Sequence, residues 1–156
     1  MAGPLVECVP NFSAGRDAAV VDDIAAAIRA VNGLALLGCE RDRDHNRCVI
    51  TFAGAPEAVL EGALAGVAKA VELIDLTAQR GVHPRIGAAD VVPFVPISGI
   101  NMDDCVRLAW RAGEEIWRRF RVPVYFYEAA ARHSDRARLE TIRRGLEPVL
   151  VGRRIE

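Results

Sequence analysis

Lysine is almost missing from this chain. Of its 20 basic residues only Lys69 is a lysine, and 21 acidic residues bring the formal net charge to −1. So even a balance gives no broad attraction to nucleic acid or to an anionic membrane surface. Cysteine is sparse and scattered: Cys8, Cys39, Cys48 and Cys105 form no CxxC pair, which argues against a zinc site and a redox motif. Metal-ligand spacing is absent too, so no metal is expected. No apolar stretch is long enough to span a bilayer, and none at the amino end reads as a signal peptide. There is no phosphate-binding loop, dinucleotide fingerprint or nucleophile elbow. No repeat, linker or low-complexity segment divides the chain. The expectation is therefore one cytoplasmic domain over residues 1–156, with the four cysteines as small core residues in a reducing compartment.

What is present is periodic. "LVECV" (5–9) reads as a short strand, broken by the turn residues of "PNFSAG". Val20, Ile24, Ile28 and Val31 recur at helical spacing, and Asn32-Gly33 ends that helix. "LALLGCE" (34–40) reads as a buried strand, "RDRDHN" as a charged turn and "RCVITFAG" (47–54) as the returning strand of a hairpin. Pro56 opens a helix whose face runs through Leu60, Ala63, Leu64, Val67, Val71 and Ile74. "ADVVPFVPIS" (89–98) is β-like, but its two prolines predict an edge or irregular strand. Asn101 caps a third helix, answered by Asp104, with Cys105, Ala109, Gly113, Ile116 and Phe120 on one face and Trp110 and Trp117 expected in the core. "VPVYFY" (122–127) reads as a strand, and a last helix runs from Ser134 to Gly145. The basic carboxyl end reads as a solvated face and tail.

The order is β-α-β-β-α-β followed by α-β-α. It predicts an α+β domain with a ferredoxin-like, split βαβ core, an additional helix-strand-helix, and an antiparallel or mixed sheet with its helices on one face.

Chemistry concentrates in "GVHPRIGAAD" (81–90). Pro84 favours an extended backbone at His83, so His83 and Arg85 can project to the same side. One would shuttle protons near neutral pH and the other would fork to a carboxylate. Alternatively, His83 caps a helix end and Arg85 makes a surface ion pair. "VPNFSAG" (9–15) leads from a strand to a helix amino terminus, a place that favours anions; Asn11 and Ser13 there are ligand-binding or turn residues. "ERDRDHNR" (40–47) either contributes to a site or solvates a hairpin, and His45 and His133 read as surface residues.

Three segments together carry a resemblance. "VECVPNFSAG" (6–15), "NRCVITFAG" (46–54) with the following "PEAVLEGA", and "GVHPRIGAADVVPFVP" (81–96) resemble the amino-terminal subdomain of the glutamate formimidoyltransferases. "VPVYFYEAA" (122–130) and "IRRG" (142–145) fit the same order. The resemblance implies transfer of a formimino group from N-formimidoyl-glutamate to N5 of tetrahydrofolate, the folate being a co-substrate. It implies His83 as catalytic acid/base, and Asn11, Ser13, Glu40, Asn46, Arg47 and Arg85 as substrate-binding residues. Glu40 stands where the family commonly has aspartate, and Val82 where an acidic residue is common. The family's transferase unit has two similar subdomains, so the resemblance also implies a second subdomain, a partner chain or a homodimer. The other reading is a stand-alone, non-catalytic relative that binds a ligand or regulates.

Overall fold

The computed structural model describes residues 3–74 and 87–131. His83, Arg85, His133 and the helix expected from Ser134 lie outside these residues. The described residues form six strands and three α-helices: β1 (Leu5–Cys8), β2 (Asn11–Phe12), α1 (Ala18–Arg29), β3 (Leu34–Asp42), β4 (Arg47–Gly54), α2 (Pro56–Leu73), β5 (Ala89–Val91), β6 (Phe94–Ser98) and α3 (Met102–Phe120).

The strands make one sheet, and every pairing among the described residues is antiparallel. β1 and β2 are two halves of one path along β4, interrupted at Val9-Pro10, because proline has no N–H to give the ladder. β5 and β6 repeat this on the far side, pairing with β2 and β1 and breaking at Val92-Pro93. The irregularity expected of the proline-bearing run is thus a break into two strands. Among the described residues β3 pairs with β4 alone, and its register shifts between Leu36 and Gly38.

Alternation decides which face is covered. Val6, Cys8, Phe12, Cys48, Ile50 and Phe52 are buried, and Glu7, Val9, Asn11, Val49 and Thr51 between them are half-exposed. The helices lie over the buried side, α2 touching both α1 and α3. Phe12 and Phe52 are fully enclosed, and burial of each such side chain contributes about 1.5–3 kcal/mol. α2 comes close because Gly62 has no side chain: a Cβ there would stand 2.9 Å from the Phe52 ring. α1 begins at an Asp17 cap, whose carboxylate accepts from Ala19 and Val20, and buries Val21, Ile24, Ala25 and Ile28. α3 begins with the expected Asn101–Asp104 capping box and buries Cys105, Leu108, Ala112, Gly113 and Ile116.

Four expectations are corrected. β3 is not buried: it is an edge strand with Ala35, Leu37 and Cys39 exposed. Cys39 is therefore no core residue, whereas Cys8, Cys48 and Cys105 are. Trp110 and Trp117 are half-buried on the flank of α3, where the Trp110 indole N–H donates to the Ala130 carbonyl at 2.9 Å. Residues 122–127 join no strand among the described residues. Phe126 and Val124 instead pack on α3 at Gly113.

Candidate functional site

The sheet face away from the helices gathers three of the expected site residues. Cross-strand partners share a face, and the register sets Val49 of β4 opposite Asn11 of β2 and opposite Glu40 of β3. Asn11 is opposite Val91 on its other side. Glu40, Val49, Asn11 and Val91 thus form one row across the open face. Neighbouring strands lie ~4.8 Å apart, which puts Asn11 and Glu40 roughly 10 Å from each other across Val49. Arg47, two residues before Val49 on the same face, pairs with Asp42 at the hairpin end. Asn11 and Arg47 are half-buried and Glu40 is exposed. The row and the hairpin end together therefore offer an amide, a carboxylate and a guanidinium within the span of a small, multiply charged ligand.

Ser13 and Asn46 sit at the rim of this face but point inward. They are the buried polar residues of the described structure, 1% and 5% exposed. Ser13 Oγ donates to the Gly87 carbonyl at 2.7 Å, and Ser13 N–H donates to the Ala88 carbonyl at 2.8 Å. Asn46 has a left-handed backbone, φ +50°, which asparagine tolerates better than most residues. Its Oδ1 accepts from the N–H groups of Gly15 at 2.9 Å and Arg16 at 3.0 Å. Five backbone amides around the start of α1 are thus engaged with protein acceptors: Ser13 with Ala88, Gly15 and Arg16 with Asn46, Ala19 and Val20 with Asp17.

The sequence reading did not single out three residues that build the rim. Gly15 lies so close to the hairpin that a Cβ would collide with the Asp42 and Arg47 backbones. The Arg16 guanidinium donates to the carbonyls of Arg43 at 2.8 Å and Asp44 at 3.3 Å. Asp42 receives the His45 backbone N–H at 3.0 Å and lies 2.6 Å from its Nδ1. These bonds, the backbone one first, hold the Asp42 carboxyl below its usual range. His45 is thus a half-buried, bonded member of the turn. Asp-x-x-His within a hairpin turn was the available signal for this pair, since an aspartate readily bonds the backbone a few residues on.

Among the described residues, no group of three or more His, Cys, Asp or Glu is placed to hold a metal ion. None of the described helices is long and apolar enough to cross a membrane.

These features define a class first: an α+β domain whose antiparallel sheet is sheathed by helices on one side and carries a polar row on the other. Residues 5–151 match the family described as the formiminotransferase domain, N-terminal subdomain, and the chain belongs to that family. It is 48% identical over 139 residues to a glutamate formimidoyltransferase from Thermoplasma acidophilum, covering 89% of this chain and 46% of the relative. It is 46% identical over 141 residues to a formimidoyltransferase-cyclodeaminase from Sus scrofa, covering 90% of this chain and 26% of the relative. A glutamate formimidoyltransferase from Streptococcus pyogenes serotype M1 is 40% identical over 141 residues, 90% of this chain and 47% of the relative. The chain therefore spans about half, or about a quarter, of the relatives it matches.

Proposed function

We propose that this chain is the amino-terminal part of a glutamate formimidoyltransferase, which moves a formimino group from N-formimidoyl-glutamate to N5 of tetrahydrofolate. The observation that carries the reading is the family match over residues 5–151. Asn11, Glu40 and Arg47 on one sheet face support it. A fork such as Arg47 suits a substrate carboxylate, Glu40 suits the N–H groups of a cationic amidine, and Asn11 can donate and accept. Arg85 would be a second carboxylate anchor.

In this reading N5 of the folate attacks the amidine carbon and forms a tetrahedral intermediate. His83 takes the proton from N5 and gives it to the nitrogen of glutamate. The bond from carbon to that nitrogen then breaks and glutamate leaves as the amine. Proton transfer of this kind is worth on the order of 10²–10⁴ in rate. Holding two large anions in register contributes much of the rest.

A further segment or partner chain would supply the second wall of the site over the open face. The relatives' greater length supports this, and so do Leu37, Val95 and Ile97, apolar and exposed on strands of that sheet. The composite strands also support a split βαβ core, because β1–β2 lies between β4 and β5–β6 while β3 flanks β4. Four free thiols fit a reducing, cytoplasmic setting.

The test supplies the full-length protein with N-formimidoyl-glutamate and tetrahydrofolate. Release of one glutamate per 5-formimidoyl-tetrahydrofolate formed is expected. Folded protein that forms neither product would contradict the reading.

A further inference from the structure

We propose that Asn46 is a positioning residue and not a substrate ligand: its amide oxygen clasps the hairpin turn to the loop before α1 and so fixes Asn11 and Arg47 relative to each other. The inference rests on the transferase reading above. It replaces the ligand role that sequence resemblance implies for Asn46.

Three contacts make the clasp, all between residues 15–16 and the turn at 42–47. Asn46 Oδ1 accepts two backbone N–H groups, from Gly15 and Arg16. Gly15 lets the two backbones meet where any Cβ would collide. Arg16 reaches back over the turn to the carbonyls of Arg43 and Asp44. The residues it joins are 31 and 30 positions apart in sequence. Asn46 is 5% exposed, so its oxygen is committed inside the fold rather than offered to the open face.

The geometry explains why asparagine stands there. The turn needs a residue that tolerates positive φ, and the loop needs an acceptor at the amino end of a helix. Glycine meets the first need alone, and alanine meets neither well. Asparagine and aspartate meet both. Asn46 precedes Arg47 directly, and Gly15 follows Asn11 by four residues. One side chain therefore links the strand ends that carry Asn11 and Arg47. Ser13 forms a second strut from the same loop, to Gly87 and Ala88.

The test compares Asn46→Gly, which keeps the turn but loses the acceptor, with Asn46→Asp, which keeps both. In the full-length protein, Asn46→Gly is expected to lower kcat on the order of 10–100-fold with KM little changed, the signature of misplaced reacting groups. Asn46→Asp is expected to recover most of kcat, since a carboxylate accepts the same two N–H groups and suits a helix amino terminus. A substrate ligand gives the opposite pattern. A carboxylate facing anionic substrates repels them, so a raised KM in Asn46→Asp overturns the proposal. A raised KM with intact kcat in Asn46→Gly also overturns it. Should Asn46→Gly fail to fold, Asn46→Asp decides alone by the same criteria. If wild-type protein transfers nothing, the functional reading fails separately, and hydrogen exchange at the Gly15 and Arg16 amides judges the clasp. Protection in wild type and Asn46→Asp with fast exchange in Asn46→Gly supports it; equal protection in all three overturns it.

Discussion

Gly15 is the residue at which sequence and structure meet most tightly. Its missing side chain lets the loop before α1 lie against the Asp42 and Arg47 backbones. Backbone atoms cannot swing aside as a side chain can. Gly15→Ala should therefore cost about 1–3 kcal/mol, the usual price of forcing a methyl group into filled space. Urea unfolding checks this, and an unchanged midpoint would mean that the loop is free to withdraw. The cysteines differ just as sharply. Cys8 and Cys48 are buried, which drives both thiols up, Cys48 to about 12. Cys105 is enclosed on the buried face of α3, while Cys39 is exposed on β3. An alkylating reagent should modify Cys39 alone in the folded chain and the other three only on unfolding, as mass spectrometry would register. The cysteine types gave no hint of this difference. It comes from strand position: Cys8 and Cys48 lie on inner strands and Cys39 on an edge. Ser13 and Asn46 carry the same lesson. Polar types suggest a surface, but each is buried by a contact from more than thirty positions away or close to it.

Elements were legible where a local rule decides them. The α3 start is an example, since Asn101 and Asp104 satisfy each other's backbone N–H groups within one turn. Asn101→Ala should cost about 1 kcal/mol. That corresponds to a fall in melting temperature of about 2–4 °C. Differential scanning calorimetry would show it, and no shift would mean that tertiary packing holds this helix end unaided. The irregularity of the proline-bearing run was legible for a similar reason: Pro93 has no N–H to give a ladder and lies at the break, while Pro96 is carried inside β6 opposite Val6. Elements were not legible where packing outweighs propensity. "VPVYFY" has strand-forming residues, yet Phe126 and Val124 are spent on α3 at Gly113. "LALLGCE" reads as a buried strand, yet among the described residues it pairs on one side only. Its apolar content alone does not say whether a second neighbour exists.

On the scale of the whole fold, the described residues form a sheet with one face sheathed by helices, and its other face carries Asn11, Glu40 and Arg47. The proposed function counts these residues in the site, and cross-strand pairing explains how positions 11, 40 and 47 come to share one face. His83 belongs to the same reading by its family motif, although it lies outside the described residues. The most direct measurement is steady-state transfer from N-formimidoyl-glutamate to tetrahydrofolate by the full-length protein and its His83→Ala variant, with both checked for cooperative unfolding. A fall in kcat on the order of 10²–10⁴, with the KM values largely kept, is the expected result. Near-normal turnover by folded His83→Ala would contradict it and remove His83 from the chemistry.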